Sequence, residues 1–374
     1  MRKIRVLVVD DSTVIRRMVS DVLSQDSEIE VAATAPNGKI ALEKLMQISP
    51  DVVTLDIEMP EMNGLETLAN LRKSFPSLPV IMFSTLCERG AESTLDALSK
   101  GASDYVTKPA NMGSVKESMQ KIKDDLVPKI KHLCKWYRDL KNPTLLAQTG
   151  RSLSAKHPNS LRQPKPFNRK DCRIDIIAIG VSTGGPNALM EVLSQLPKEF
   201  PVPILVVQHM PPVFTKHLAN RLNQNCAIDV VEAELGDSLR EGTVYIAPGD
   251  WHMQIRRIGL GVQLELNQAP QENSCRPAVD VLFRSVADVY GPNALAVVLT
   301  GMGQDGLRGS EAIRDAGGAV FAQDEASSVV WGMPRAVIHA GIAHETLALH
   351  EVADKLCNTC ACGRTKRRPE RIQI

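Results

Sequence analysis

The sequence predicts an α/β protein made of two mainly parallel sheets in series. Three observations predict it. The 374 residues exceed one ordinary core, at roughly 150 residues per domain. Strand-length apolar runs alternate with amphipathic helical patterns in both halves. Short connections between such units imply parallel strands covered on both faces. Between the halves the rhythm stops: residues 127–170 hold Pro128, Pro143, Pro158, Pro164 and Pro166, and eleven Lys/Arg against one acid, Asp139.

In the first half, Ile4–Val9 is an apolar strand and Val14–Leu23 an amphipathic helix. Glu30–Ala35 is a weaker strand, followed by a helix over Gly38–Met46. Val52–Leu55, Pro79–Phe83 and Asp104–Thr107 complete the strands. Leu65–Lys73 and Ala91–Ser99 are helices, and a last one starts near Gly113. Its pattern extends to about Leu140, and the remaining basic, proline-punctuated residues read as a linker.

The second half resumes from Asp171. Strand patterns lie at Ile174–Val181, Pro203–Gln208, Val230–Ala233, Val244–Ala247, Ala294–Leu299 and Ala319–Ala322. Helical patterns lie at Asn187–Leu193, Val213–Asn223, Ala278–Tyr290 and Leu307–Ala316. Met253–Arg256 and Val262–Leu266 flank glycines and read as a hairpin. The expected division is 1–126, 127–170, 171–357 and a basic tail, 358–374.

The net charge of +1 hides an asymmetry. Basic residues sit in the connection and the tail, so the folded parts are acidic. Such segments are usually solvated, or they lie on an acidic surface. Aromatic residues make up only 4% of the chain, which argues against single-strand nucleic-acid binding. No apolar run is long enough for a transmembrane helix, and the N-terminus enters a strand directly. A cytoplasmic chain without membrane insertion is the expectation. Cysteines are then core residues. Cys357, Cys360 and Cys362 form C-x-x-C-x-C, but no fourth ligand sits at a convincing spacing.

Asp10 and Asp11 end the first strand, Asp56 the third, Ser84 the fourth and Lys108 the fifth. In an open parallel sheet these ends face one crevice. Three converging carboxylates repel unless a cation joins them, and oxygen ligands with an incoming phosphate suit Mg²⁺. Val8-Val9-Asp10-Asp11-Ser12, Leu55-Asp56-Ile57-Glu58-Met59-Pro60 and Lys108-Pro109 resemble the receiver domain of two-component response regulators. The resemblance implies a flavodoxin-like (βα)5 fold, with Asp56 as phosphoacceptor and Asp10, Asp11 and Asp56 around Mg²⁺. It also implies Ser84 as switch hydroxyl, Tyr105 as switch aromatic and Lys108 as phosphoryl partner.

Gly180-Val181-Ser182-Thr183-Gly184-Gly185-Pro186 places a serine in a glycine-rich turn between strand and helix. The turn suits a nucleophile with helix N–H groups for an oxyanion, a phosphate cradle, or merely a tight bend. His209 directly follows a strand, with His252 a weaker rival as base. Asp305 lies in a similar strand-to-helix turn, where it orients the imidazole or caps the next helix. Amides near Thr183, Gly184, Met302 and Gly303 are the candidate oxyanion donors. The order Ser…His…Asp differs from that of the hydrolases with a G-x-S-x-G elbow.

Ile179–Pro186, Gln208-His209-Met210-Pro211-Pro212, Leu299–Gly306, Tyr245–Gly249 and Ser274–Asp280 resemble the chemotaxis methylesterases. This CheB family comprises protein-glutamate methylesterases/protein-glutamine glutaminases. The resemblance implies Ser182, His209 and Asp305 as nucleophile, base and orienter. It implies an α/β catalytic domain without a cofactor, acting on methylated glutamates and glutamines of chemoreceptor cytoplasmic helices. A chemotaxis histidine kinase would be the phosphodonor, and the unphosphorylated receiver would pack over the catalytic cleft. The linker is longer and more basic than the family's usual connection, and the tail past Leu356 has no counterpart. A transcription-type regulator and a nucleotide-binding module are the competing readings.

Overall fold

Ile4–Val9 (β1), Ile29–Ala35 (β2), Val52–Asp56 (β3), Val80–Ser84 (β4) and Asp104–Thr107 (β5) form one sheet in the order β2-β1-β3-β4-β5. The structure is a computed structural model and describes residues 2–109, 114–141 and 173–362. Every neighbouring pair in this sheet is parallel. The chain reverses direction across the sheet between β1 and β3, the switch point at which such folds bind ligands. Val52–Asp56 and Val80–Ser84 are buried throughout, which is why they are mostly apolar, with polar residues at their ends.

The last helix of this unit runs over Val115–Lys141, close to the expected end at Leu140. It carries the first residues of the expected linker into the packed unit. Pro128 lies inside it, at a cost of about 3 kcal/mol in a free helix. Leu126, Val127, Ile130, Leu133 and Cys134 are all buried. Each such side chain contributes roughly 1.5–3 kcal/mol, so burial outweighs the proline. Lys129 anchors the helix on β5: its Nζ donates to the Tyr105 carbonyl (2.7 Å) and to Asp125 (2.8 Å). The rest of the expected linker, 142–170, lies outside the described residues, as does the tail from 363.

The second unit holds a seven-stranded sheet. Its strands are Ile176–Val181 (β6), Ile204–Gln208 (β7), Asp229–Glu232 (β8), Thr243–Ile246 (β9), Ala294–Val298 (β12), Ala319–Gln323 (β13) and Glu345–Leu347 (β14). The order is β14-β13-β12-β6-β7-β9-β8, parallel throughout. His252–Ile258 (β10) and Gly261–Asn267 (β11) form the expected antiparallel hairpin. β6 is the switch point, with β7 on one side and β12 on the other. The helix Val279–Tyr290 covers it with Val279, Leu282, Phe283 and Val286.

Two short elements carry too little periodicity to read in advance: β14 and the helix Met333–His339. The final helix, Leu349–Ala361, runs past the expected boundary at 357 and buries Thr359 and Cys360. Among the described residues, no helix is long and apolar enough to cross a membrane.

Candidate active site and phosphoryl site

Three strand ends of the second unit meet at the switch point. Ser182 follows β6, His209 follows β7, and Asp305 lies in the turn after β12. Backbone bonds set them side by side: His209 N donates to Val181 O (3.2 Å), and Ser182 N to Thr300 O (3.0 Å). The Gln208 carboxamide donates to the carbonyls of Ser182 (3.0 Å) and His209 (3.3 Å). His209 Nε2 lies 2.8 Å from Asp305 Oδ2. The predicted base and orienter are therefore in direct contact, and the serine is tied to the base through backbone and Gln208.

His252 is not part of this group. Its ring is fully buried, accepts from Ala278 N (3.2 Å) and bonds Pro270 O (3.1 Å). It is a core histidine. Two glycines near the serine have clear packing roles. A Cβ on Gly180 would collide with Val279, so this glycine lets the covering helix approach β6. A Cβ on Gly301 would collide with Met333 Sδ and with Ser182 Cβ (2.8 Å). Both glycines serve close packing around the serine.

Asp305 gives its own helix, Leu307–Asp315, one bond, accepting at Oδ1 from the N-cap amide Gly306 N (3.0 Å). The Asp305 carboxylate also accepts from Val279 N (2.7 Å) and Asp280 N (3.0 Å) at the start of the neighbouring helix. Burial alone would push its pKa up. His209 and the two helix N–H groups outweigh burial and hold it below the usual carboxylate value. For His209, burial works against the charged ring, but Asp305 and the Cys275 thiol lift it above the ordinary imidazole value.

Two contributors escaped the sequence reading: Asn273, which donates to Asp305 Oδ1 (3.0 Å), and Cys275, which faces the His209 ring. Both sit in an irregular connection with no periodicity. The Asn-Ser pair is a turn signal, but it does not say what the turn reaches.

Of the candidate oxyanion residues, Gly184 and Gly303 are left-handed at φ 78° and 87°. Ser182 and Gly301 spend their own N–H groups on Thr300 O and Val330 O (both 3.0 Å), so those two amides belong to the scaffold.

In the first unit the crevice also assembles. Oxygen atoms of Asp10, Asp11 and Asp56 all lie within 4.8 Å of one another. Three hard oxygen donors at that spacing fit a divalent cation of the Mg²⁺ type. Among the described residues this is the one such cluster, and Cys357, Cys360 and Cys362 do not form another. Lys108 Nζ lies 2.7 Å from Asp56 and 3.0 Å from Asp10. Burial is the main cause that raises Asp56 to about 6, with Lys108 opposing and Asp10 adding to it. Burial works against the Lys108 charge, but the two carboxylates hold it above its ordinary value.

Ser84, not Thr85, is the buried strand-end hydroxyl. Its Oγ donates to Gly90 O (3.0 Å) rather than to Asp56, and Thr85 is exposed beside Cys87. Tyr105 is buried, with Lys129 Nζ 5.3 Å from its ring centre. A cavity of about 650 Å³ adjoins the acidic cluster, lined by Asp11, Glu58, Asn63, Arg89 and Ser93 among others.

Comparison with known proteins identifies both units. Residues 177–356 match the CheB methylesterase family, and residues 6–120 match the response regulator receiver domain. The protein-glutamate methylesterase/protein-glutamine glutaminase of Trichodesmium erythraeum is 50% identical over 356 residues, 95% of this chain and 99% of that one. The protein of the same name from Nocardioides sp. is 51% identical over 361 residues, 96% of each chain. The solved catalytic domain of Thermotoga maritima CheB methylesterase is 44% identical, covering 50% of this chain and 98% of its own, with a TM-score of 0.49. The near full-length identity to both named relatives decides the matter: this chain belongs to the protein-glutamate methylesterase/protein-glutamine glutaminase family, with a receiver domain ahead of its methylesterase domain.

Proposed function

We propose that this chain is a phosphorylation-regulated hydrolase of glutamate methyl esters and glutamine side chains on chemoreceptor cytoplasmic helices. The observation that carries the reading is the 2.8 Å His209–Asp305 pair at the switch point where Ser182 ends the central strand. Ser182 Oγ attacks the side-chain carbonyl carbon. Since Nε2 faces Asp305, His209 Nδ1 takes the serine proton. Asp305 holds the ring and balances its charge. Amides of Thr183, Gly184, Met302 and Gly303 are the proposed donors to the oxyanion. The carbon–oxygen or carbon–nitrogen bond then breaks, and the imidazolium proton leaves with methanol or ammonia. Water, deprotonated by His209, frees the glutamate carboxylate and restores Ser182.

In the receiver, Asp56 is the proposed phosphoacceptor from a chemotaxis histidine kinase. Asp10, Asp11 and Asp56 would hold Mg²⁺, which supplies charge neutralisation for phosphoryl transfer. Lys108, already 2.7 Å from Asp56, is placed to hold a phosphoryl oxygen. Ser84 and Tyr105 are the proposed switch. The reading sets the enzyme in the cytoplasm, where receptor helices carry their methyl esters. The test is methanol release from methyl-labelled receptor membranes, with and without a small phosphodonor. Wild type should release methanol faster with the donor, Asp56→Asn should lose that stimulation, and Ser182→Ala should release none. Release by Ser182→Ala overturns the nucleophile, and equal rates with and without donor overturn the regulation.

A further inference from the structure

We propose that Asn273 is a positioning residue for Asp305, a role that rests on the Ser182–His209–Asp305 reading. Its carboxamide nitrogen donates to Asp305 Oδ1 (3.0 Å) and to Asp280 Oδ2 (2.9 Å). Both partners are carboxylate oxygens, so only the NH₂ end of the amide can face them. The backbone is shaped for that reach. Asn273 and Ser274 are left-handed, at φ 52° and 61°. Glu272 and Cys275 exchange both backbone hydrogen bonds across them, at 3.1 and 2.9 Å. Two left-handed residues inside a closed pair form a tight turn in which asparagine is favoured. Arg284 holds the turn from outside through both Glu272 oxygens, at 2.7 and 2.6 Å.

The need for this donor follows from what lies beneath it. Asp280 and Asp305 are both almost fully buried. Neighbouring carboxylates resist joint ionisation, so one tends to keep a proton. A donor shared between them lowers that cost and keeps the Asp305 oxygen toward His209 ionised. The charged and titratable groups facing Asp305 are His209 from its strand end, Asp280 from the adjoining helix, and the Glu272–Arg284 pair. Cys275 faces the His209 ring from the same turn. Asn273 is the side-chain amide that contacts both acids at once. Its removal should let a proton settle on the acid pair and loosen the imidazole.

The test uses the full chain in two variants. Asn273→Gly keeps the left-handed backbone and removes the amide. Asn273→Asp keeps the outline and replaces the donor with a third carboxylate. Methanol release from methyl-labelled receptor membranes is followed against pH, alongside a titration of the His209 ring by NMR and a melting curve. Asn273→Gly should lose about 10- to 100-fold in kcat at unchanged KM, the effect of one hydrogen bond to a charged group. Its His209 titration should move to lower pH, because a protonated acid pair no longer favours the charged ring, and its melting curve should stay near that of wild type. Asn273→Asp should be slower still. A wild-type rate and pH profile in Asn273→Gly overturns the proposal, because water then serves as well as the amide. So does a rate loss with an unmoved His209 titration, which marks a structural role. If the glycine variant fails to fold, the His209 titration in Asn273→Asp decides. Ser182→Ala runs in parallel: release in that variant overturns the triad reading itself, whereas its inactivity beside an unaffected Asn273→Gly overturns only the role of Asn273.

Discussion

Asp280 and Asp305 cap each other's helices. Asp305 accepts from Val279 N (2.7 Å) and Asp280 N (3.0 Å), the first two residues of the helix Val279–Tyr290. Asp280 accepts from Gly309 N (2.6 Å) in the first turn of the helix Leu307–Asp315. Neither helix is capped by its own N-cap side chain, Ala278 or Gly306. The orienting carboxylate thus sits at the positive end of a helix that is not its own, and its partner acid returns the bond.

Asp280→Ala should therefore cost more stability than an ordinary surface change. It strips the cap from the helix Leu307–Asp315 and leaves the buried Gly309 N–H without an acceptor, a loss of about 1–3 kcal/mol. Calorimetry should show the catalytic unit melting roughly 3–10 °C lower. An unchanged midpoint would contradict the reciprocal cap.

Gly301→Ala should hurt chemistry through the nucleophile. The new methyl would press on Ser182 Cβ, 2.8 Å away, and on Met333. Displacement of a reacting group by about 1 Å costs on the order of a hundredfold. Labelling of Ser182 by a fluorophosphonate should slow accordingly. Gly236→Ala is the comparison, since its left-handed backbone (φ 86°) has nothing within 4 Å of a Cβ. That variant should lose only the strain of about 1–2 kcal/mol and label normally. Equal labelling rates in the two variants would remove Gly301 from the account.

Asp56 makes metal binding at the receiver depend on pH. Burial raises its folded value to about 6 from an ordinary 3.8. For an acid raised in this way the folded chain holds the proton more tightly. The cost of ionising it is fully present above pH 6 and disappears as pH falls toward 3.8. A cation must displace that proton. Titration calorimetry with Mg²⁺ in buffers of different ionisation enthalpy should show about half a proton released per site at pH 6 and almost none at pH 8. Release that does not change between these pH values would place the acid elsewhere.

Ser84→Ala and Thr85→Ala should separate cleanly. Ser84 Oγ is buried against Gly90 O at 3.0 Å, whereas Thr85 is exposed. A phosphoryl group on Asp56 offers that hydroxyl a better acceptor. Stimulation of methanol release by a phosphodonor should fall strongly in Ser84→Ala and persist in Thr85→Ala. The reverse pattern would shift the switch by one residue.

Both sites were legible because parallel strands buried on two faces announce their own ends. Ile176–Val181 and 204–207 are continuous apolar runs; Ser182 is the first polar residue beyond one, and Gln208 and His209 follow the other. The same logic located Asp10, Asp56 and Lys108. What stayed hidden depends on contacts between elements. Asp305 reads as a cap of the helix that follows it, and it does accept from Gly306 N, but a local pattern cannot show that it also caps the helix beginning at Val279. Asn273 works through a left-handed turn set by backbone closure rather than by hydrophobic period. The helix read through Pro128 to about Leu140 does continue to Lys141, but the burial of the apolar residues around the proline, which holds it there, is a tertiary contact.

The placement of the central strand has a consequence for how activity is acquired. His209 and Asp305 are 96 residues apart, and they meet only across β6, with β7 on one side and β12 on the other. Closing so long a loop precedes any reward from the contact, so the site belongs to the slow, non-local part of folding. A nascent chain ending before β12 carries the serine and the histidine but no counter-charge for the imidazole. Chemical reactivity of Ser182 thus becomes a reporter of the docking of β12 against β6, the step that brings Asp305 to the imidazole.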